Sequence, residues 1–217
     1  MGPMERRERQ RQELRKRILD TARRLFAEEG YDAVTMRTIA HEIEYSPRTI
    51  YLHFKDKEEL FRSLCQEDFK DFGERLGPLL KVKDPLERMR AIGQAYARFA
   101  QAFPHHYQLM FMSRHPVHED PSNVEWLGNP QADAYALLVG SVREALEGGY
   151  LRPELTDVDL VAQTAWAAIH GVMALATTQE GDPFVPWRPI EARVDAALDL
   201  VTVGLRRSDS PQAKRRK

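Results

Sequence analysis

A single cysteine, Cys65, is present in the 217-residue chain, so no intramolecular disulfide framework is available to it. The N-terminus has no apolar leader, and the apolar runs are read as too short for a membrane span. The expected setting is therefore reducing and cytoplasmic, with no membrane partner. The formal net charge is −1, so the chain lacks the overall basic character that announces nucleic acid. Short enzyme motifs are missing too: there is no Walker loop, GxGxxG, HExxH, CxxC or GxSxG. No cofactor and no enzymatic activity are expected.

What is present is an ordinary globular composition, 42% hydrophobic and 30% charged, which excludes a disordered chain. Charge is unevenly placed. Residues 1–57 carry 13 Lys and Arg against 10 Asp and Glu, leaving 19 against 23 for the rest, so the first segment is +3 and the remainder −4. The excess lies between Arg6 and Arg24. Ahead of Leu14 this run has no apolar stripe, and it reads either as a solvated helix end or as a phosphate-contacting arm.

Helical periodicity then takes over. Leu14, Ile18, Ala22, Leu25 and Phe26 trace one face that ends at Glu29-Gly30. Met36, Ile39, Ala40 and Ile43 follow at the i, i+3, i+4, i+7 spacing. Ser46 supplies a cap and Pro47 a first helical position, so a second short helix starts after a tight break. Asp56-Lys57-Glu58-Glu59 has capping-box form and opens a helix with the stripe Leu60, Phe61, Leu64, Cys65, Phe69 and Phe72. Cys65 in that stripe reads as a buried small hydrophobe. Asp84-Pro85-Leu86-Glu87 opens the helix bearing Met89, Ile92, Tyr96, Phe99, Ala100 and Phe103.

Pro104 to Met112 reads as a short helix and Ser113 to Asn129 as a loop. Asn129-Pro130 is taken to open a helix that stops at Gly148-Gly149. Thr156-Asp157-Val158-Asp159 caps another, about 157–178. The last helix, about 190–205, carries Ile190, Val194, Ala197, Leu198, Val201 and Leu205, and 208–217 is expected as a disordered basic tail. No period-two pattern survives inspection. The predicted fold class is all-α with about nine helices.

Two short helices joined by a tight turn make a helix-turn-helix candidate between Thr35 and Lys57. Pro47, Arg48 and Thr49 stand at the exposed start of its second helix, small enough to enter a major groove, with Tyr51, Leu52 and His53 behind them. Arg48 has the chemistry to reach guanine edges or phosphate. Tyr51 and His53 can bond phosphates, and Lys57 and Thr35 lie at helix starts that favour an anion.

The runs Val34-Thr35-Met36-Arg37-Thr38-Ile39-Ala40, Tyr45-Ser46-Pro47-Arg48-Thr49-Ile50-Tyr51-Leu52-His53-Phe54 and Lys57-Glu58-Glu59-Leu60-Phe61 resemble the DNA-binding domain of the TetR family of transcriptional regulators. The likeness covers about residues 14–61 and includes Phe26 and Gly30. It implies that Thr35, Arg37, Tyr51, His53 and Lys57 face phosphates, that Ser46 and Pro47 open the recognition helix, and that Arg48 and Thr49 approach bases. The chain departs from the family at the turn, where Glu44 replaces a frequent Gly. A side chain at positive φ there costs about 1 kcal/mol. Either the turn is rearranged or a carboxylate sits near DNA.

Farther on, Gly149-Tyr150-Leu151-Arg152-Pro153 and Trp166-Ala167-Ala168-Ile169-His170-Gly171 resemble a TetR-family C-terminal subclass. This implies a helical domain that binds an effector and dimerises through its last two helices, about 157–178 and 190–205. The expected division is 1–57 for DNA binding, 58–207 for effector binding and dimerisation, and 208–217 for the tail. The partners implied are a double-stranded DNA operator, a second copy of the chain, and an apolar or aromatic small molecule. Ala162, Ala165, Ala168, Ile169 and Val172 form a small-residue face suited to a four-helix interface.

Tyr96, Phe99, Phe103, Tyr107, Met110, Phe111, Trp126, Trp166 and His170 supply surface for an effector cavity, with plain core as the alternative for each. The rival site is a metal cluster of His105, His106, His115, His118 and Glu119. It has no helical i, i+4 His pair and no cysteine to support it.

Overall fold

The computed structural model describes residues 2–113 and 120–208. Its helices are α1 (Pro3–Glu29), α2 (Met36–Glu42), α3 (Pro47–Tyr51), α4 (Lys57–Leu76), α5 (Pro85–Ala102), α6 (Pro104–Tyr107), α7 (Ala134–Glu147), α8 (Val158–Gln179) and α9 (Ile190–Leu205). Short 3-10 turns lie at Gly77–Lys81 and Pro121–Asn123, and a π turn at Gln108–Met112. Extended pairing among the described residues amounts to one antiparallel bridge, Leu151 with Arg206. The protein is all-α. His115, His118 and Glu119 of the histidine cluster, and 209–217 of the expected tail, lie outside the described residues.

Two compact units divide the chain, and the division falls inside α4, between Phe69 and Lys70. The first takes α1 to α3, α4 as far as Phe69, and the described residues between Phe103 and Glu125. A boundary drawn along the chain at residue 57 does not coincide with this. The reason is burial: Leu60, Phe61 and Leu64 of α4, and Leu109 from the π turn, join Ile18, Ala22, Phe26, Ile39 and Ile50 in one core. Each fully buried side chain of this size contributes about 1.5–3 kcal/mol. Among them, Phe61 packs edge-on against Phe26 and Tyr31.

Arg23 of α1 and Asp68 of α4 form a buried fork-to-fork pair in this unit, with Nη2 to Oδ1 at 2.6 Å and Nε to Oδ2 at 2.9 Å. Asp20 accepts a third bond from the same guanidinium, at 2.7 Å. Arg15 and Glu67 repeat the α1–α4 pairing at the surface.

The second unit holds the rest of α4, α5, α7, α8 and α9. Tyr96 and Phe99 of α5 pack on Phe72, with ring centroids 5.9 and 4.6 Å away. Gly93 lets α5 approach α9: a Cβ there would stand 2.4 Å from Cδ2 of Leu198. Arg88 is buried but satisfied, donating to Ser141 Oγ at 2.8 Å, to the Val82 carbonyl at 3.0 Å, and to Glu144.

Several expectations are corrected. The helix expected from Asn129-Pro130 starts instead at Ala134, because the Asp133 carboxylate caps it, accepting from Tyr135 N and Ala136 N. Its second oxygen accepts from Gly128 N at 2.8 Å, holding the preceding turn out of the helix. The cap of α8 is Asp157, which accepts from Leu160 N at 3.0 Å. α8 is also long and apolar enough, by length and composition, to cross a membrane, contrary to the reading of short apolar runs.

The face expected at a dimer contact is partly internal, since Ala162, Ile169, Val194 and Leu198 are buried within the chain. Exposed apolar side chains lie on other faces of the same helices: Leu160 and Leu175 on α8, and Leu200 and Val203 on α9, the last two 76% and 75% exposed.

Candidate functional site

The first unit presents two short helices that are capped by their own sequence. Thr35 Oγ1 accepts from Thr38 N at 3.1 Å at the start of α2, and Ser46 Oγ accepts from Thr49 N at 3.3 Å at the start of α3. Pro47 takes the first position of α3, where its missing N–H costs nothing. Between the helices, Tyr45 N bonds the Ala40 carbonyl at 2.9 Å and Glu44 N the His41 carbonyl at 3.0 Å. These two bonds are those of a Schellman stop, which requires a left-handed residue between them. Glu44 is that residue, at φ 62°, and it is the only non-glycine residue with positive φ among the described residues. The turn is retained rather than rearranged, and an exposed carboxylate sits at its corner.

Ile39, Ala40, Ile43 and Ile50 are buried beneath this surface, which leaves the polar residues outward. Thr35, Arg37, Ser46, Pro47, Arg48 and Tyr51 are exposed, and Thr49, His53 and Lys57 are half-buried. Lys57 is placed differently from the others. Its Nζ donates to the carbonyls of Tyr31 at 2.9 Å and Val34 at 3.0 Å, and it lies 4.2 Å from the centroid of the Tyr31 ring. The ammonium thus ties the start of α4 to the residue preceding Thr35, using two of its three N–H groups.

His53 is held below its ordinary pKa, first by desolvation and then by the positive charges of Arg11 and Arg15. Part of the basic run is also engaged internally. Arg15 stacks over Phe54 at 4.6 Å and Arg17 stands 5.9 Å from the Tyr45 ring.

The nine residues singled out for an effector cavity do not form one group. Phe103, Tyr107, Met110 and Phe111 belong to the first unit, where Phe111 packs edge-on against Phe69 and Tyr107 and Met110 are buried. Tyr96, Phe99, Trp126, Trp166 and His170 belong to the second. Phe99 is core against Phe72, and Trp126 is half-buried in the turn before Gly128.

Tyr96 and Trp166 line a cavity of about 50 Å³ between α5, α7, α8 and α9, together with Leu86, Ile92, Leu138 and Leu198 among others. The Tyr96 hydroxyl is 2.9 Å from His170 Nδ1, and burial holds that imidazole below its ordinary pKa. The cavity is therefore apolar, with one polar pair close by.

Of the described histidines in the rival cluster, His105 Nε2 is 3.4 Å from Glu28 and His106 packs on Phe103. No group of three or more potential metal ligands occurs among the described residues. Sequence reasoning passed over Arg23, Arg90 and the pair Arg206-Arg207. The only local signal was two arginines directly after the last apolar stripe.

A family model described as bacterial regulatory proteins, tetR family, matches residues 18–64, and a second, a tetracyclin repressor-like C-terminal domain, matches 89–201. Over 54 residues the chain is 50% identical to the HTH-type transcriptional repressor Rv1474c of Mycobacterium tuberculosis, a stretch covering 25% of this chain and 29% of that protein. This match thus spans under a third of that relative's length. With the HTH-type transcriptional repressor KstR2 of Mycobacterium tuberculosis the identity is 29% over 161 residues, 70% of this chain and 78% of that one. In structure the chain is similar to the transcriptional regulator FadR of Bacillus subtilis, solved in complex with stearoyl-CoA. That likeness has a TM-score of 0.71 at 21% identity, over 88% of this chain and 98% of that one, and it bears on the fold alone.

Proposed function

Since the chain belongs to the TetR family of bacterial regulatory proteins, we propose that it is a cytoplasmic, homodimeric transcriptional repressor released from a pseudo-palindromic operator by a small-molecule effector. The observation that carries this reading is the pair of capped short helices around Glu44, with Arg48 and Tyr51 exposed on the second. In a major groove about 12 Å wide, Arg48 and Thr49 approach base edges. Thr35, Arg37, Tyr51 and His53 face phosphates, and Lys57 adds its third N–H. Ser46 and Pro47 set where the recognition helix begins.

The dimer forms through α8 and α9, whose exposed Leu160, Leu175, Leu200 and Val203 need a cover. Two helices from each protomer make a four-helix contact. The recognition helices then lie about 34–36 Å apart, or a multiple of that, to meet successive grooves. An effector in the second unit favours a conformer with another spacing. It releases DNA only to the extent that it binds the two conformers with different affinity.

Selection from a random double-stranded DNA pool tests the reading. The expected product is a palindrome with half-sites about one helical turn apart. Absence of any enriched sequence at low salt refutes it.

A further inference from the structure

We propose that the open cleft at the C-terminal end of α9 is an anion site adjoining the apolar cavity, so that the effector is an amphipathic anion with a small apolar end. The inference rests on the effector-controlled reading above and names the chemistry of the ligand. Arg90 and Thr202 line both spaces. On the cavity side they meet the apolar lining. On the other side they open into a cleft of about 460 Å³ that also takes in Glu87, Asp199, Arg206 and Arg207. Three guanidinium groups stand there against two carboxylates.

Two features make the cleft receptive. Arg206 Nε is buried without a hydrogen-bond partner among the described residues. A buried donor left unsatisfied is unfavourable, and an anion supplies its acceptor. Arg90 is held by Asp199 at 2.5 Å and Asp195 at 3.3 Å. Both carboxylates are more than half exposed, so their pairs with Arg90 are weak and open to exchange for a ligand oxygen.

The cleft is also positioned by the backbone. Leu151 and Arg206 form a bridge, with Arg152 N to the Leu205 carbonyl at 3.0 Å and Arg207 N to the Tyr150 carbonyl at 2.9 Å. Arg206 and Arg207 are thereby fixed against the segment after α7. A guanidinium fork matches the two oxygens of a carboxylate or phosphate.

Size sets the other end of the ligand. A cavity of about 50 Å³ is far below the several hundred Å³ that a drug-sized ligand fills, so it admits a short or branched alkyl group and not a long chain.

The test uses the full chain and four probes in titration calorimetry: butyrate, coenzyme A, butyryl-CoA and palmitoyl-CoA. Butyryl-CoA is expected to bind saturably, about tenfold or more tighter than coenzyme A. Butyrate binding as well as butyryl-CoA assigns the anion site to a carboxylate, and butyryl-CoA binding alone assigns it to phosphate; either supports the proposal. Arg206→Gln and Arg90→Gln should each weaken butyryl-CoA about tenfold or more while melting temperature and binding to selected DNA stay unchanged. Ala165→Leu, which adds an isopropyl group at the cavity wall, should remove the preference for butyryl-CoA over coenzyme A. Absence of saturable binding by all four probes, undiminished binding by Arg206→Gln, or a preference for palmitoyl-CoA overturns the proposal. DNA selection is read separately. A chain that selects an operator but ignores the probes overturns the anion site alone, whereas one that selects no DNA overturns the regulator reading.

Discussion

Replacing Glu44 by glycine isolates what the turn between α2 and α3 costs the protein. Glu44 sits at φ 62° because Tyr45 N and Glu44 N must both reach back into α2. An L side chain in that region is strained by about 1–2 kcal/mol. Glycine removes the strain but adds about 0.5–1 kcal/mol of chain entropy to the unfolded state. The net expectation for Glu44→Gly is a gain of about 0.5–1 kcal/mol. For a chain of this length that is roughly 1–4 °C in melting temperature. Glu44→Ala is the control, because it keeps the strain and removes the charge.

Urea denaturation of both variants, with binding to selected and random DNA, separates the two effects. Stability should rise for glycine and not for alanine. DNA affinity should rise a few-fold for both, since each removes the same exposed like charge from a surface facing phosphates. Equal stability of the two variants would refute the backbone argument, and unchanged DNA binding in both would place Glu44 away from the phosphates.

Arg48→Ala should weaken operator binding by about 1–3 kcal/mol and relax preference at one base pair in a competition assay; an equal loss on all sequences excludes base reading. Lys57→Ala should weaken operator and random DNA alike, reduce the salt slope by about 1, and lower stability by about 1–2 kcal/mol through the lost bonds to Tyr31 and Val34. An unchanged urea midpoint would show that the tie carries no stability. Arg23→Leu leaves Asp68 charged and buried and should cost about 3–5 kcal/mol in urea denaturation, whereas Arg23→Met with Asp68→Leu should recover most of it. A double variant as unstable as the single one contradicts this account.

His53 gives a pH dependence of opposite sign for folding and for DNA binding. Its pKa is lowered in the folded chain, by desolvation first, so below about 6.5 the unfolded chain binds the extra proton and stability falls as pH drops. A phosphate favours the imidazolium, so DNA affinity should rise over the same window. Both slopes should flatten in His53→Asn, and a DNA slope that persists there assigns it to another group.

Much of the site was legible because its causes are local. Thr35, Ser46, Asp56 and Asp84 each accept from a backbone N–H three residues on, a bond that depends on little beyond the intervening residues. The positive φ at Glu44 follows from the length of the break between two apolar stripes. Competing local signals were harder to rank. Asn129-Pro130 and Asp133 are both valid helix starts, and the outcome turned on Asp133 also binding Gly128 N. Lys57 looked like a plain anion contact until the carbonyls of Tyr31 and Val34 were brought beside it. Nothing nearby in sequence announces those two partners.

By itself the sequence determined that the chain is helical, where most helices begin and end, and which residues open the recognition helix, because capping and periodicity act over three or four residues. Tertiary structure decided which stripe of α8 and α9 faces inward. Ala162, Ile169, Val194 and Leu198 are apolar and buried, while Leu160, Leu175, Leu200 and Val203 are apolar and exposed. Periodicity marks both stripes alike. Only the packing of α5 and α7 against these helices selects between them, as it also places Arg90 beside Arg206 and divides the aromatic residues between two cores.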